Sequence, residues 1–379
     1  MYIQLKHLVS NGLFKSLQFS RRVGFVRCVM DRVVDSATDR KQADSFRLLQ
    51  KLDETTENQL HAIPSQTTVG ERRLLYQFFR ELWTGQGDVV EIGPFLGGTS
   101  RAIALGMLHN PRRQNGKLFT YDRFQDYFEV SRLTEYLQPL VDTGELDEST
   151  IRELGKEAPF IEIFKKIHGK KDYYACLEPS NHGVPDLVEQ VNEGPWMSLP
   201  DGFQTDAVFI DGCKSWYGTK YFMKLMAPVA RPGATFLFQD YGWFTCFWLA
   251  ALIETFADEF SLIGNVDNTY AFSLSRALTA DEIEKRFADS PALAGRETLT
   301  RLLDKQISRA VQRSDLRAVV RHTIHKAGAL TYIGELEEAR AVLKQAEKLP
   351  EISKHRTVLN KAWDSPTYSP DAPIPLGKN

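Results

Sequence analysis

Residues 206–217 read DAVFIDGCKSWY, an apolar run that ends in Asp211 with Lys214 three positions later. Such a pair is either a solvated turn or the chemical end of an enzyme. A second stretch, GDVVEIGPFLGGTS, delivers Glu91 on an apolar strand. Gly93, Gly97 and Gly98 then let the backbone turn tightly and approach a ligand closely. Thr99 or Ser100 can cap the helix that follows, whose N-terminal amides favour a carboxylate-bearing group. The spacing is G-x-x-x-G and not the G-x-G-x-x-G of nicotinamide enzymes; a tight connection alone would also explain it. KLFTYD ends in Asp122, where a Rossmann-like site holds ribose hydroxyls through a carboxylate.

These residues need a sheet to bring them together. DVVEIG, SRAIALGML and KLFTYD read as strand, helix and strand, a βαβ unit with parallel strands and a right-handed crossover. DAVFIDG, the helix TKYFMKLMAPVA, the turn RPGA, TFLFQDY and the helix FTCFWLAALIETFADEF continue the alternation. FSLIGNV and YAFSLSRAL are expected to close the sheet. The stretch between Asp122 and Thr205 is too long for a structureless loop and is expected to hold an inserted helical cap, over a ligand or at an oligomer contact.

Taken in order over about residues 60–275, these motifs resemble the class I S-adenosylmethionine-dependent methyltransferases. They look most like the small-molecule O-methyltransferases of the catechol and macrolide-sugar branches. The resemblance implies a Rossmann-like α/β fold, a seven-stranded mostly parallel sheet with helices on both faces, carrying N- and C-terminal helical additions. It implies S-adenosylmethionine held by Glu91, Gly93, Gly97, Thr99, Ser100, Asp122 and Asp211. It also implies a divalent cation such as Mg²⁺ on Asp211 and Asp240, and Lys214 as the base. Lys214 can instead be a structural salt bridge to Asp211. Many relatives have histidine where Lys214 stands, some have an acid at Gln239, and the catechol branch has asparagine at Tyr241, so fewer anionic ligands remain. The activity implied is O-methyl transfer to a small hydroxylated acceptor, a sugar or secondary-metabolite intermediate. The alternative is a catalytically degenerate methyltransferase-like binding or assembly module.

The 379-residue chain has room for this domain and additions: 1–60 an N-terminal helical extension, 61–279 the methyltransferase domain with its insertion at about 123–200, 280–350 a helical appendage, and 351–379 a mostly disordered tail. ALTYIGELEEARAVLKQAEKLP within the appendage resembles one tetratricopeptide hairpin. The terminal helices are expected to serve a protein partner or a homo-oligomer; the basic helical stretch 1–34 could also lie on an anionic membrane surface. A net charge of −2 gives no argument for nucleic acid, and no apolar run reaches a membrane span. Four scattered cysteines and no recognisable signal peptide fit the cytoplasm. His322 and His325 are expected on a helix surface, and His182 in a loop near the cofactor edge. Trp216, Tyr217, Tyr241 and Trp243 are candidates for a pocket wall.

Overall fold

A computed structural model describes residues 52–124, 130–152, 161–349, 352–368 and 376. The basic N-terminal stretch lies outside the described residues.

Seven strands form one sheet in the order β3-β2-β1-β4-β5-β7-β6. They are β1 (Asp88–Ile92), β2 (Leu118–Tyr121), β3 (Leu177–Ser180), β4 (Thr205–Ile210), β5 (Ala230–Phe238), β6 (Phe260–Val266) and β7 (Thr269–Leu274). The first five pair in parallel, while β7 runs antiparallel to β5 and to β6. Every residue of β4 is buried, as a parallel strand covered on both faces requires. Alternate residues divide between two cores: Val90, Ile92, Val208, Ile210, Phe236 and Phe238 face one layer, and Val89, Ala207, Phe209 and Leu237 the other. Burying each large side chain contributes about 1.5–3 kcal/mol, so a one-residue slip in register would be costly. The protein has the Rossmann-like class I methyltransferase fold.

Helix α1 (Val69–Gln77) begins at a reciprocal cap between Thr68 and Glu71. Helix α2 (Gly98–Leu108) follows β1, and α3 (Trp216–Met226) follows β4, opened by Ser215, whose side chain accepts from the Gly218 amide. Helix α4 (Phe247–Thr255) follows β5. Between β2 and β3 the described residues hold three helices: Val130–Asp142, Glu148–Arg152 and Ile161–His168. Most of KDYYACLEP is a 3-10 turn; only Leu177–Ser180 pairs, as β3.

The C-terminal helices are α5 (Arg296–Gln312), α6 (Leu316–Tyr332), α7 (Leu336–Ala346) and α8 (Arg356–Asp364). Helices α6 and α7 are joined by a turn at Gly334, which has φ 86°. Leu299, Leu302, Leu303 and Ala329 sit in the same core as β4 and β5, so this unit is fused to the sheet and not hung from it. Two expectations need correction. Part of the supposedly disordered tail is helix α8, because Leu359, Ala362 and Trp363 bury with Phe244, Ile324 and Leu343. His322 and His325 are not on a surface: both are buried, 3.3 Å apart, and the His325 ring nitrogen Nε2 meets the Trp243 carbonyl at 2.6 Å. Burial holds His325 down to about 4, so it is a neutral packing residue. Among the described residues, no helix is long and apolar enough to cross a membrane.

Candidate active site

The strand order reverses at β1, which has β2 on one side and β4 on the other, and such a switch point opens a crevice at the carboxyl ends of the strands. Ladder bonds bring four ends close to one level: Gly93 N–H to Tyr121 O at 2.9 Å, Asp211 N–H to Ile92 O at 2.9 Å and Gln239 N–H to Ile210 O at 3.0 Å. A cavity of about 820 Å³ lies over them. Gly93, Thr99, Asp122, Asp211, Lys214 and Asp240 all line it.

On the β1–β2 side the backbone is the working surface. Gly93 has φ 87°, and a Cβ there would sit 2.6 Å from the Gly212 amide nitrogen. Asp122 accepts the Phe124 amide at 3.0 Å and the Phe95 amide at 3.3 Å, while burial raises its pKa. Glu91 is placed differently from its expected role. It is buried, does not line the cavity, and accepts Thr99 Oγ1–H and Ser100 Oγ–H, each at 2.5 Å. A carboxylate taken from water needs partners, and these two hydroxyls staple the strand end to the first turn of α2. Burial, partly opposed by the two hydroxyls, pushes Glu91 up to about 7. Ser100 and Gly97 are likewise off the cavity.

Gly97 instead makes room for a group that sequence reasoning missed. A Cβ on Gly97 would collide with the His168 ring. The His168 Nε2 atom faces the Leu96 carbonyl at 3.0 Å and must carry the proton, so Nδ1 accepts from the Tyr173 hydroxyl at 2.9 Å. Arg101 Nε–H donates to that hydroxyl at 2.8 Å. Burial holds His168 down to about 3, which keeps this brace neutral at its ring. Only a folded insertion could reveal it, because His168 lies 72 residues from Leu96.

The β4–β5 side is charged and aromatic. Lys214 Nζ–H donates to Asp211 Oδ1 at 2.8 Å, Asp240 Oδ2 at 2.5 Å and Gln239 Oε1 at 3.3 Å. Burial alone disfavours its charge, but Asp211 and Asp240 outweigh it and hold the ammonium well above the ordinary lysine value. Asp240 has φ 64°, a left-handed conformation uncommon outside glycine and enriched at functional sites. Cys246 also lines the cavity, and burial pushes its thiol up to about 12, so it acts as a neutral wall.

Asp211 and Asp240 converge as expected for a metal pair, but around an ammonium. The Gln239 amide oxygen is spent on the same ammonium, and Tyr241 is buried with its hydroxyl donating to Gln306 at 2.9 Å. Among the described residues, no group of three His, Cys, Asp or Glu could hold a metal ion. This donor set does not fit Mg²⁺.

Of the aromatic candidates, Trp243 lines the cavity; Trp216, Tyr217 and Tyr241 do not. Trp216 stacks on Phe287 and donates its indole N–H to the Ala288 carbonyl. His182 is off the cavity, although its neighbours Gly183 and Val184 line it. Sequence reasoning also missed the far wall: Lys361, Asp364, Ser365, Thr367 and Tyr368, from α8 and the segment after it. Lys361 Nζ lies 6.0 Å from the centre of the Trp243 ring, and Thr367 Oγ1–H donates to the Thr245 carbonyl at 3.4 Å.

No family model and no curated protein matches the chain. Among solved structures it is similar to the O-methyltransferase NovP, with 17% identity over 59% of this chain and 89% of that one, at a TM-score of 0.35. It is also similar to cofactor-bound Rv0187 from MTB, with 12% identity over 67% of this chain and 97% of that one, at 0.33. A third is CalS11, a TDP-rhamnose 3′-O-methyltransferase of calicheamicin biosynthesis, with 14% identity over 63% and 95%, at 0.33. The fold assignment rests on the observed sheet, its two helical layers and its strand-end motifs.

Proposed function

We propose that this protein is an S-adenosylmethionine-dependent O-methyltransferase acting on a small hydroxylated acceptor. One observation carries the reading: a single cavity joins the glycine turn and Asp122 to the Lys214–Asp240 cluster. When bound, the cofactor supplies an electrophilic methyl group on a sulfonium. Asp122 is suited to accept hydrogen bonds from ribose hydroxyls, and Gly93 permits close approach of the backbone. The first backbone amides of α2, that of Thr99 among them, favour a carboxylate-bearing group. Trp243, Phe244 and Trp248 give the acceptor an apolar wall, and Lys214 and Asp240 give its hydroxyl polar partners. Positioning two reactants in one cavity is the main rate contribution such a site offers.

Isothermal calorimetry with S-adenosylmethionine tests this directly. Binding is expected for the intact protein, with affinity reduced at least about tenfold, or 1.4 kcal/mol, in Asp122→Ala. No heat of binding from a folded sample would sink the methyltransferase reading. Binding indifferent to Asp122→Ala would remove the ribose assignment alone.

A further inference from the structure

We propose that the Lys214 ammonium is the built-in cation of the acceptor side, standing where two strand-end carboxylates would otherwise offer a site to a divalent metal. The claim concerns the chain's own charges; only its link to an acceptor hydroxyl rests on the methyltransferase reading.

An ammonium has three N–H donors and no lone pair. Asp211, Asp240 and Gln239 supply three acceptors, at 2.8, 2.5 and 3.3 Å. Lys214 so placed has nothing with which to take a proton, and the base role expected of it is replaced by a fixed positive charge. A magnesium ion sits about 2.0–2.1 Å from its oxygens. To meet both carboxylates it would need the volume that Nζ fills, against the repulsion of a second cation. The positions beside Asp240 add no third anion to the pair, since Gln239 is neutral and Tyr241 is turned to Gln306.

The three bonds are unequal. The two to carboxylates are short and charge-assisted, whereas the Gln239 bond is long and neutral. An acceptor oxygen entering the cavity would replace Gln239 at Nζ and receive its hydrogen bond there. Two carboxylates against one ammonium leave a formal charge of −1. A carboxylate oxygen, and not the lysine, is therefore the hydrogen-bond partner left for the acceptor's O–H.

Electron paramagnetic resonance of Mn²⁺ tests the cation claim with no acceptor in hand. Titrating the intact protein with Mn²⁺ is expected to leave the six-line spectrum of the free ion, with no site tighter than about 1 mM. Lys214→Ala is expected to gain a site at least tenfold tighter, lost again on adding Asp240→Asn. Lys214→Arg keeps the charge and is expected to stay silent. A Mn²⁺ site in the intact protein that disappears in Asp211→Asn would overturn the proposal. So would a folded Lys214→Ala, checked by circular dichroism, that gains no site. Should Lys214→Ala not fold, the intact-protein titration with its Asp211→Asn control still decides between ammonium and metal. Calorimetry with S-adenosylmethionine on the same samples separates this outcome from the fate of the methyltransferase reading.

Discussion

The two sides of the cavity are built in opposite ways. On the β1–β2 side, the turn between β1 and α2 presents backbone and glycine, and buried polar groups behind it hold its shape: Glu91 on Thr99 and Ser100, and His168 on Leu96. On the β4–β5 side, charged and aromatic side chains do the work, and residues more than a hundred positions later wall them in. On the proposed function, a cofactor of constant structure calls for a fixed backbone cradle, whereas an acceptor is discriminated by side chains, which can change without disturbing the fold. The first side should therefore fail through shape and the second through packing and charge.

The sharpest way to break this contrast is Trp363→Ala. The residue is buried in the C-terminal core, and truncation is expected to cost about 3–5 kcal/mol in urea denaturation. Because it packs in that core and does not line the cavity, S-adenosylmethionine affinity measured on the folded fraction should hold within about twofold. A large loss of affinity would mean that the two sides are mechanically one.

Gly93→Ala comes next. It imposes a positive φ on a side chain and drives Cβ to 2.6 Å from the backbone of Gly212. A cost of about 3 kcal/mol is expected, together with loss of cofactor binding by calorimetry. Normal binding would show that the glycine is not part of a cradle.

Glu91→Gln probes the staple through pH. Its folded pKa is raised from 4.5 to about 7, so between those values the folded state holds more protons than the unfolded state. Glu91's own contribution to stability should then fall as pH rises through that window, by on the order of 3 kcal/mol, against the opposite trend of the buried histidines, so the wild type should lose stability relative to the variant. Parallel stability-against-pH curves for the two proteins would contradict the raised pKa. The smallest effect is expected for Tyr173→Phe, which removes the hydroxyl linking Arg101 to His168 and should cost about 1–2 kcal/mol by the same denaturation assay.

Legibility follows the same division. The strands, the glycine turn and the acids at strand ends can be read because each is a short local pattern: an apolar run, a turn residue, a carboxylate. Asp122, Asp211, Lys214 and Asp240 do share one cavity. What a local pattern does not carry is the direction a side chain takes. Glu91 points into the core, where Thr99 and Ser100 satisfy it, and His322 is buried against His325, although neither type favours burial. The Trp363 anchor and the Thr367 wall are still harder to see, since a proline-rich terminal stretch reads as solvated until the core it seals exists.

That terminal wall has a consequence for the order in which the protein comes into being. During synthesis the whole sheet, β1 to β7, leaves the ribosome before residues 361–368 do. A growing chain can thus assemble the β1–β2 side of the cavity while the β4–β5 side still lacks this wall. The wall from Lys361 to Tyr368 is added only when α8 docks, and exchanging that segment alone should reshape the β4–β5 side of the cavity while leaving the β1–β2 side as it is.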